Sequence, residues 1–126
     1  MRLKTTAQSV TPYITKDGSE IYELLHPNQH DVRHQSLAEA RIPPGITTLR
    51  HRHAITEEIY HITQGSGVMT LGGEKFTVAP GDSIAIAPGT PHCIENTGTA
   101  MLHILCCCAP AYSHADTELL DERDTA

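Results

Sequence analysis

Apolar and polar residues along this chain alternate with a period of two, in short runs broken by Gly, Pro, Asn and Asp. Residues 36–42 (SLAEARI) set Ser36, Ala38, Ala40 and Ile42 against Leu37, Glu39 and Arg41, the pattern of a half-buried strand. Upstream, residues 14–25 hold a turn signal at Asp17-Gly18 followed by a short apolar strand. Downstream, residues 67–71 and 76–79 flank Gly72-Gly73, a pair suited to a tight hairpin with positive φ. Residues 83–87 (SIAIA) are apolar on both faces, which predicts cover on both sides: the interior on one, and a second sheet, the N-terminal segment or a partner subunit on the other. Residues 92–96 form a further strand, 96–99 a turn, and 101–108 the last long strand before Ala109-Pro110. Short strands with turns at close intervals and no helical period predict an all-β sandwich or barrel. The expected organisation is an N-terminal strand and loop segment over 1–35, a barrel over 36–112 and a tail over 113–126. In that tail, Asp116-Thr117-Glu118 ahead of Leu119-Leu120 suits a short helical turn or a docked arm, and the last six residues are expected to be disordered.

Candidate chemistry concentrates in residues 45–65, GITTLRHRHAITEEIYHITQG. In an extended strand His51 and His53 share a face, with Arg50 and Arg52 turned away. After a turn at Ala54-Ile55-Thr56, the next strand carries Glu58, Tyr60 and Ile62 on one face and Glu57, Ile59 and His61 on the other. Read as a hairpin, the two strands aim two imidazoles and a carboxylate at one point. His92, behind the Pro88-Gly89 turn and Pro91, is a fourth candidate. Three His and one carboxylate suit manganese, iron, nickel, zinc or copper rather than calcium. Any one of these histidines alone reads as an ordinary strand residue; the combination does not. His26, His30 and His34 would share a face on a helix, but Pro27-Asn28 and the lack of apolar periodicity make that stretch a loop.

Gly45, His51, His53, Glu58 and Gly65 resemble the first cupin motif in type and spacing. Gly81, Gly89, His92 and Asn96 resemble the second, with Pro88 and Pro91 in its proline-rich turn. Ala87 departs from the pattern, which has proline there, and Pro88 next door keeps the turn. The resemblance implies a double-stranded β-barrel of jelly-roll type with His51, His53, Glu58 and His92 as ligands of one divalent metal. It implies pairing into a homodimer as well. It implies no reaction, because cupins include dioxygenases, isomerases, decarboxylases, lyases, storage proteins and ligand sensors.

With the ligands facing in, Thr47, Leu49, Tyr60, Ile62 and Ile94 are expected in the interior. On the last strand, Leu102, Ile104, Cys106 and Cys108 are more apolar than His103, Leu105 and Cys107, and are placed inside. Whether Ser83 and Ala85 or Ile84 and Ile86 point inward stays open. Tyr60 is the polar group beside the metal, the one candidate for a catalytic acid or hydrogen-bond donor, against a core-filling role. Glu57, His61, Cys93 and His103 should point away, and Asn96 should secure the turn that follows it. No second interior carboxylate is apparent.

Bulk properties narrow the function classes. The 126 residues make one domain, and a net charge of −6 without a basic stripe argues against a nucleic-acid partner. No apolar run is long enough for a membrane span, and the first ten residues lack a secretory core. Cys93 and the run Cys106-Cys107-Cys108 form no Cys-x-x-Cys pair, so reduced thiols in a cytoplasmic protein are expected. Three functions remain: a small metal-dependent enzyme acting on an oxygen-bearing or carboxylate small molecule, a non-catalytic small-molecule binding or sensing module, and a barrel fastened by a structural metal.

Overall fold

Strand register decides where this molecule puts its polar groups. In the computed structural model, which describes residues 3–120, a 3-10 turn (Ala7–Ser9) precedes the strands. These are β1 (Tyr13–Ile14), β2 (Glu20–Leu25), β3 (Ser36–Ile42), β4 (His51–His53), β5 (Glu57–Gln64), β6 (Gly67–Leu71), β7 (Glu74–Val78), β8 (Ser83–Ile86), β9 (His92–Asn96), β10 (Leu102–Ala109) and β11 (Thr117–Leu119). One sheet has the order β1-β2-β3-β10-β5-β8 and the other β11-β4-β9-β6-β7, each antiparallel throughout. The expected all-β barrel is what forms. The six residues 121–126 expected to lack order lie outside the described part.

In the larger sheet, paired residues put their side chains on one face in rows. The row Ile42–Leu102 is apolar, and so is the next, Ile21–Ala40–Ile104–Ile62. Then come Glu23–Ala38–Cys106–Tyr60 and, beyond it, Ser36–Cys108–Glu58. Polarity therefore rises along β3, β5 and β10 together. Ile42, Ile62, Met69, Ile94, Leu102 and Ile104 close the apolar end as fully buried side chains. The opposite end receives the titratable groups.

The last strand presents Leu102, Ile104, Cys106 and Cys108 inward, as the apolar pattern predicts. The open alternation in β8 resolves with Ile84 and Ile86 inside and Ser83 and Ala85 exposed. Ile59, opposite Ala85, is 46% exposed, so the described residues of this chain supply no cover for the outer face of SIAIA. Asn96 is fully buried and does secure its turn: Nδ2 donates to the carbonyls of Ile42 and Ala100, and Oδ1 accepts the Gly98 N–H.

Two expectations are corrected. β4 and β5 are not a hairpin; they belong to opposite sheets, and the chain crosses between them at residues 54–56. The Asp116 carboxylate takes the Ile55 and Thr56 N–H groups at that crossing, satisfying donors that have no strand partner. Thr47 and Leu49 do not face the interior: Leu49 is 55% exposed, and Thr48, 5% exposed, points in and accepts the Ile94 N–H on its Oγ1. Parity counted back from His51 fails because this stretch holds only an isolated bridge, Thr47 to Glu95, so the strand period does not run through it. Of the two forms expected for the tail, the docked arm is the one that forms, with β11 paired on β4.

Ile104 is 1% exposed at the centre of the apolar rows. Ile104→Ala should lower the unfolding free energy by about 2–5 kcal/mol, read as a reduced urea midpoint at unchanged slope.

Candidate metal centre

His51 and His53 stand on β4, and β9 places His92 directly opposite His51. The imidazole centroids lie 4.2 Å apart for His51–His92, 5.2 Å for His51–His53 and 5.5 Å for His53–His92. One nitrogen from each ring lies within 4.8 Å of the others. Glu58 arrives from the facing sheet, with Oε1 3.1 Å from His53 Nε2 and 3.6 Å from His92 Nε2. All four side chains are buried, His92 completely. The four residues singled out from the sequence meet, although the route by which Glu58 reaches the imidazoles is a sheet crossing.

The tautomers follow from what the other ring nitrogens touch. His51 Nδ1 is 2.9 Å from the Leu49 carbonyl and His92 Nδ1 is 2.9 Å from the Thr90 carbonyl. A carbonyl only accepts, so each Nδ1 carries the proton. His53 Nδ1 meets Thr117 Oγ1 at 3.0 Å, and that hydroxyl gives its own proton to the Ser113 carbonyl at 2.8 Å. Thr117 therefore accepts from His53. All three Nε2 lone pairs are left for the interior, as metal-ligating histidines require.

Lone pairs beside a carboxylate call for positive charge between them. His92 Nε2 is buried with no hydrogen-bond partner among the described residues. Burial and neighbouring His92 hold the His51 pKa down, to about 4, keeping its imidazole neutral. Burial opposes ionisation of Glu58, but the neighbouring His53 and His92 imidazoles outweigh it and bring the carboxyl down to about 2. Three imidazoles and one carboxylate are a donor set that fits a divalent transition metal.

Around this cluster lies a narrow cavity of about 40 Å³, room for about three water-sized groups. It exists because β3 contributes only Ser36, Ala38 and Ala40 to this part of the wall. Tyr60 lines it, buried, with its ring edge-on to His92 at 5.9 Å. Burial, reinforced by the Glu58 charge, raises the Tyr60 pKa well above 10, so its hydroxyl keeps its proton. Cys108 donates to Glu58 Oε2 at 3.3 Å, and burial pushes both it and Cys106 up as thiols. Glu57 is exposed, and Cys93, His61 and His103 lie outside the cavity.

Sequence reasoning missed two carboxylates. Asp17 lines the cavity with Oδ2 3.8 Å from His51 Nε2, while its Oδ1 accepts from Ser19. Glu23 lines the same cavity from β2. For Glu23 a signal was there: within EIYELL it shares parity with Ile21, the buried residue of that strand. The arm's part in the site was missed too. Thr117 supports His53, Tyr112 packs edge-on to it at 5.9 Å, and Lys16 Nζ pins the arm through the His114 and Thr117 carbonyls.

A two-sheet antiparallel barrel with a buried three-histidine cluster between its sheets is the protein class that fold and site define. The chain belongs to the cupin family, whose domain model matches residues 38–108. It is 57% identical over 119 residues to the uncharacterized protein MJ1618 of Methanocaldococcus jannaschii, covering 94% of this chain and 95% of that one. An oxalate-binding protein of Thermotoga maritima is 31% identical over 93 residues, 71% of this chain and 77% of that protein. The crystal structure of a predicted oxalate decarboxylase from Thermotoga maritima superposes with a TM-score of 0.73 at 28% identity, over 83% of this chain and 96% of that one.

Two outcomes follow from this geometry. Thr117→Val, which removes the acceptor for His53 Nδ1, should weaken metal binding about 10–100-fold in chelator competition, and Thr117→Ser should restore it. In metal-free protein the His51 pKa is depressed from 6.5 to about 4, so the unfolded state takes up the proton first. Its contribution to stability is complete above pH 6.5 and is lost as pH falls toward 4, which urea midpoints measured across that window should register as a decline.

Proposed function

We propose that this protein holds one divalent transition metal on His51, His53, His92 and Glu58 and takes a small chelating carboxylate there, with oxalate the first ligand to test. The observation that carries the reading is the set of three imidazoles whose Nδ1 protons are committed to other acceptors, leaving three Nε2 lone pairs facing one carboxylate. The oxalate-binding relative and the oxalate decarboxylase-like structure supply the ligand class. A metal in this position would supply positive charge to anchor and polarise ligand oxygens.

The chain's own residues have separable tasks in this reading. The histidines and Glu58 orient the charge. The narrow cavity limits the ligand to a few heavy atoms and excludes most water. Tyr60 serves as a hydrogen-bond donor to ligand oxygen rather than as a base, since its hydroxyl stays protonated. The reading is that of a small metal-dependent enzyme. Capture without turnover is the second reading, favoured by the cavity's neutral tyrosines and thiols and by the name of the oxalate-binding relative.

The test is metal analysis of protein purified without chelators or a nickel column, followed by oxalate calorimetry on loaded and stripped protein. Near-stoichiometric metal and oxalate binding to loaded protein alone are expected. Stripped protein that binds oxalate equally well would overturn the proposal. His92→Ala should lower metal affinity by more than the roughly 10–100-fold that loss of a supporting group costs. Disappearance of oxalate over time separates an enzyme from a binding protein.

A further inference from the structure

The cavity has a second wall that the metal reading leaves without a role. Register places Glu23 opposite Ala38, and Ala38 opposite Cys106, which pairs with Tyr60. Glu23 therefore shares the inner face with Tyr60, across small side chains that leave space between β2 and the imidazoles. Its Oε2 accepts the Tyr13 hydroxyl at 3.3 Å. Its Oε1 is buried and has no hydrogen-bond partner among the described residues. A buried carboxyl oxygen without a partner is costly, and such groups persist where something else meets them.

We propose that Glu23 is the second anchor of the ligand, with Oε1 sharing one proton with the end of a small carboxylate whose other end lies at the histidine cluster. This rests on the carboxylate reading above and deepens it. The residues lining the cavity include Asp17, Glu23 and Glu58 and no Lys or Arg. A ligand carboxylate reaching this wall thus finds no side-chain cation. Two facing carboxyl groups cannot both stay ionised at hydrogen-bond distance, and one proton between them removes the conflict. Tyr13 prepares this arrangement by occupying Oε2, which directs the proton to Oε1.

Burial raises the Glu23 pKa, while neighbouring His26 and the Tyr13 hydrogen bond act against it. Those two groups come from β1 and the loop after β2, and Cys108 of β10 also feels the Glu23 charge. None of the three offers Oε1 a hydrogen bond. Glu23 and Tyr13 also line the clefts outside the cavity, so this wall stands between the solvent and the imidazoles.

The experiment is calorimetry of oxalate on manganese(II)-loaded wild type, Glu23→Leu and Glu23→Gln, with infrared difference spectra of the complexes made with isotope-labelled oxalate. Glu23→Leu should weaken oxalate about 10–100-fold, as loss of a hydrogen bond to a charged group does, whereas Glu23→Gln, whose amide donates from the same place, should stay within about threefold. The wild-type complex should show a protonated, unlabelled carboxyl stretch that vanishes in Glu23→Gln. If the leucine variant fails to fold, the isosteric glutamine variant and this band carry the test. Equal binding to wild type and Glu23→Leu, or no such band in the wild-type complex, overturns the anchor and leaves the carboxylate reading standing. Oxalate binding to none of the three overturns that reading and the anchor with it.

Discussion

Everything at the polar end of this barrel depends on three hydrogen bonds that point away from the site. The Leu49 carbonyl, the Thr90 carbonyl and Thr117 Oγ1 each take an Nδ1 proton, and so decide which way three imidazoles present their lone pairs. The acceptors come from an irregular entry to β4, from the turn before β9 and from an arm distant in sequence. Backbone carbonyls that belong to no ladder need donors, and the histidines supply them. Satisfying the backbone and orienting the imidazoles are one structural act here.

The second constraint is the rise in polarity along paired strands. Ile62, Tyr60 and Glu58 on β5 lie level with Ile104, Cys106 and Cys108 on β10 and with Ala40, Ala38 and Ser36 on β3. A slip of one residue would turn each of these sets to the opposite face. The isoleucines that anchor the register at the apolar end therefore fix the height of Glu58 at the other. Gly89 joins the two halves of the histidine cluster: its N–H donates to the His53 carbonyl at 2.6 Å, and its φ of 81° is one that a side chain rarely tolerates. The turn leading to His92 is thereby tied to the strand that carries the other histidines.

What could be read in the sequence was whatever obeys a period. SLAEARI, LHILCCCA and EEIYHITQ announce their buried faces by alternation, and His51, His53, Glu58 and His92 follow from the same rule plus a motif. What could not be read lies where the period breaks. Thr48 takes the interior place expected of Thr47 and Leu49 because a lone bridge cannot impose strand parity. The sheet crossing at residues 54–56 resembles a hairpin turn in sequence, and what distinguishes it is Asp116, sixty residues away. Glu23 obeyed the period, but its strand read as simply apolar, and its importance depends on the cavity that Ala38 and Ala40 leave in front of it.

Charge then limits what this cavity can accept. Asp17, Glu23 and Glu58 line it with three tyrosine hydroxyls and two thiols that burial keeps protonated. No cationic side chain lines the cavity among the described residues. An anion entering without further positive charge would meet like charge in a confined, poorly solvated space, where repulsion is weakly screened. The compensating charge can come from a cation at the Nε2 cluster or from protons on the carboxyl groups. Both sources belong to the same end of the barrel, so cation occupancy, proton occupancy and anion affinity are thermodynamically linked: each must alter the others by equal factors.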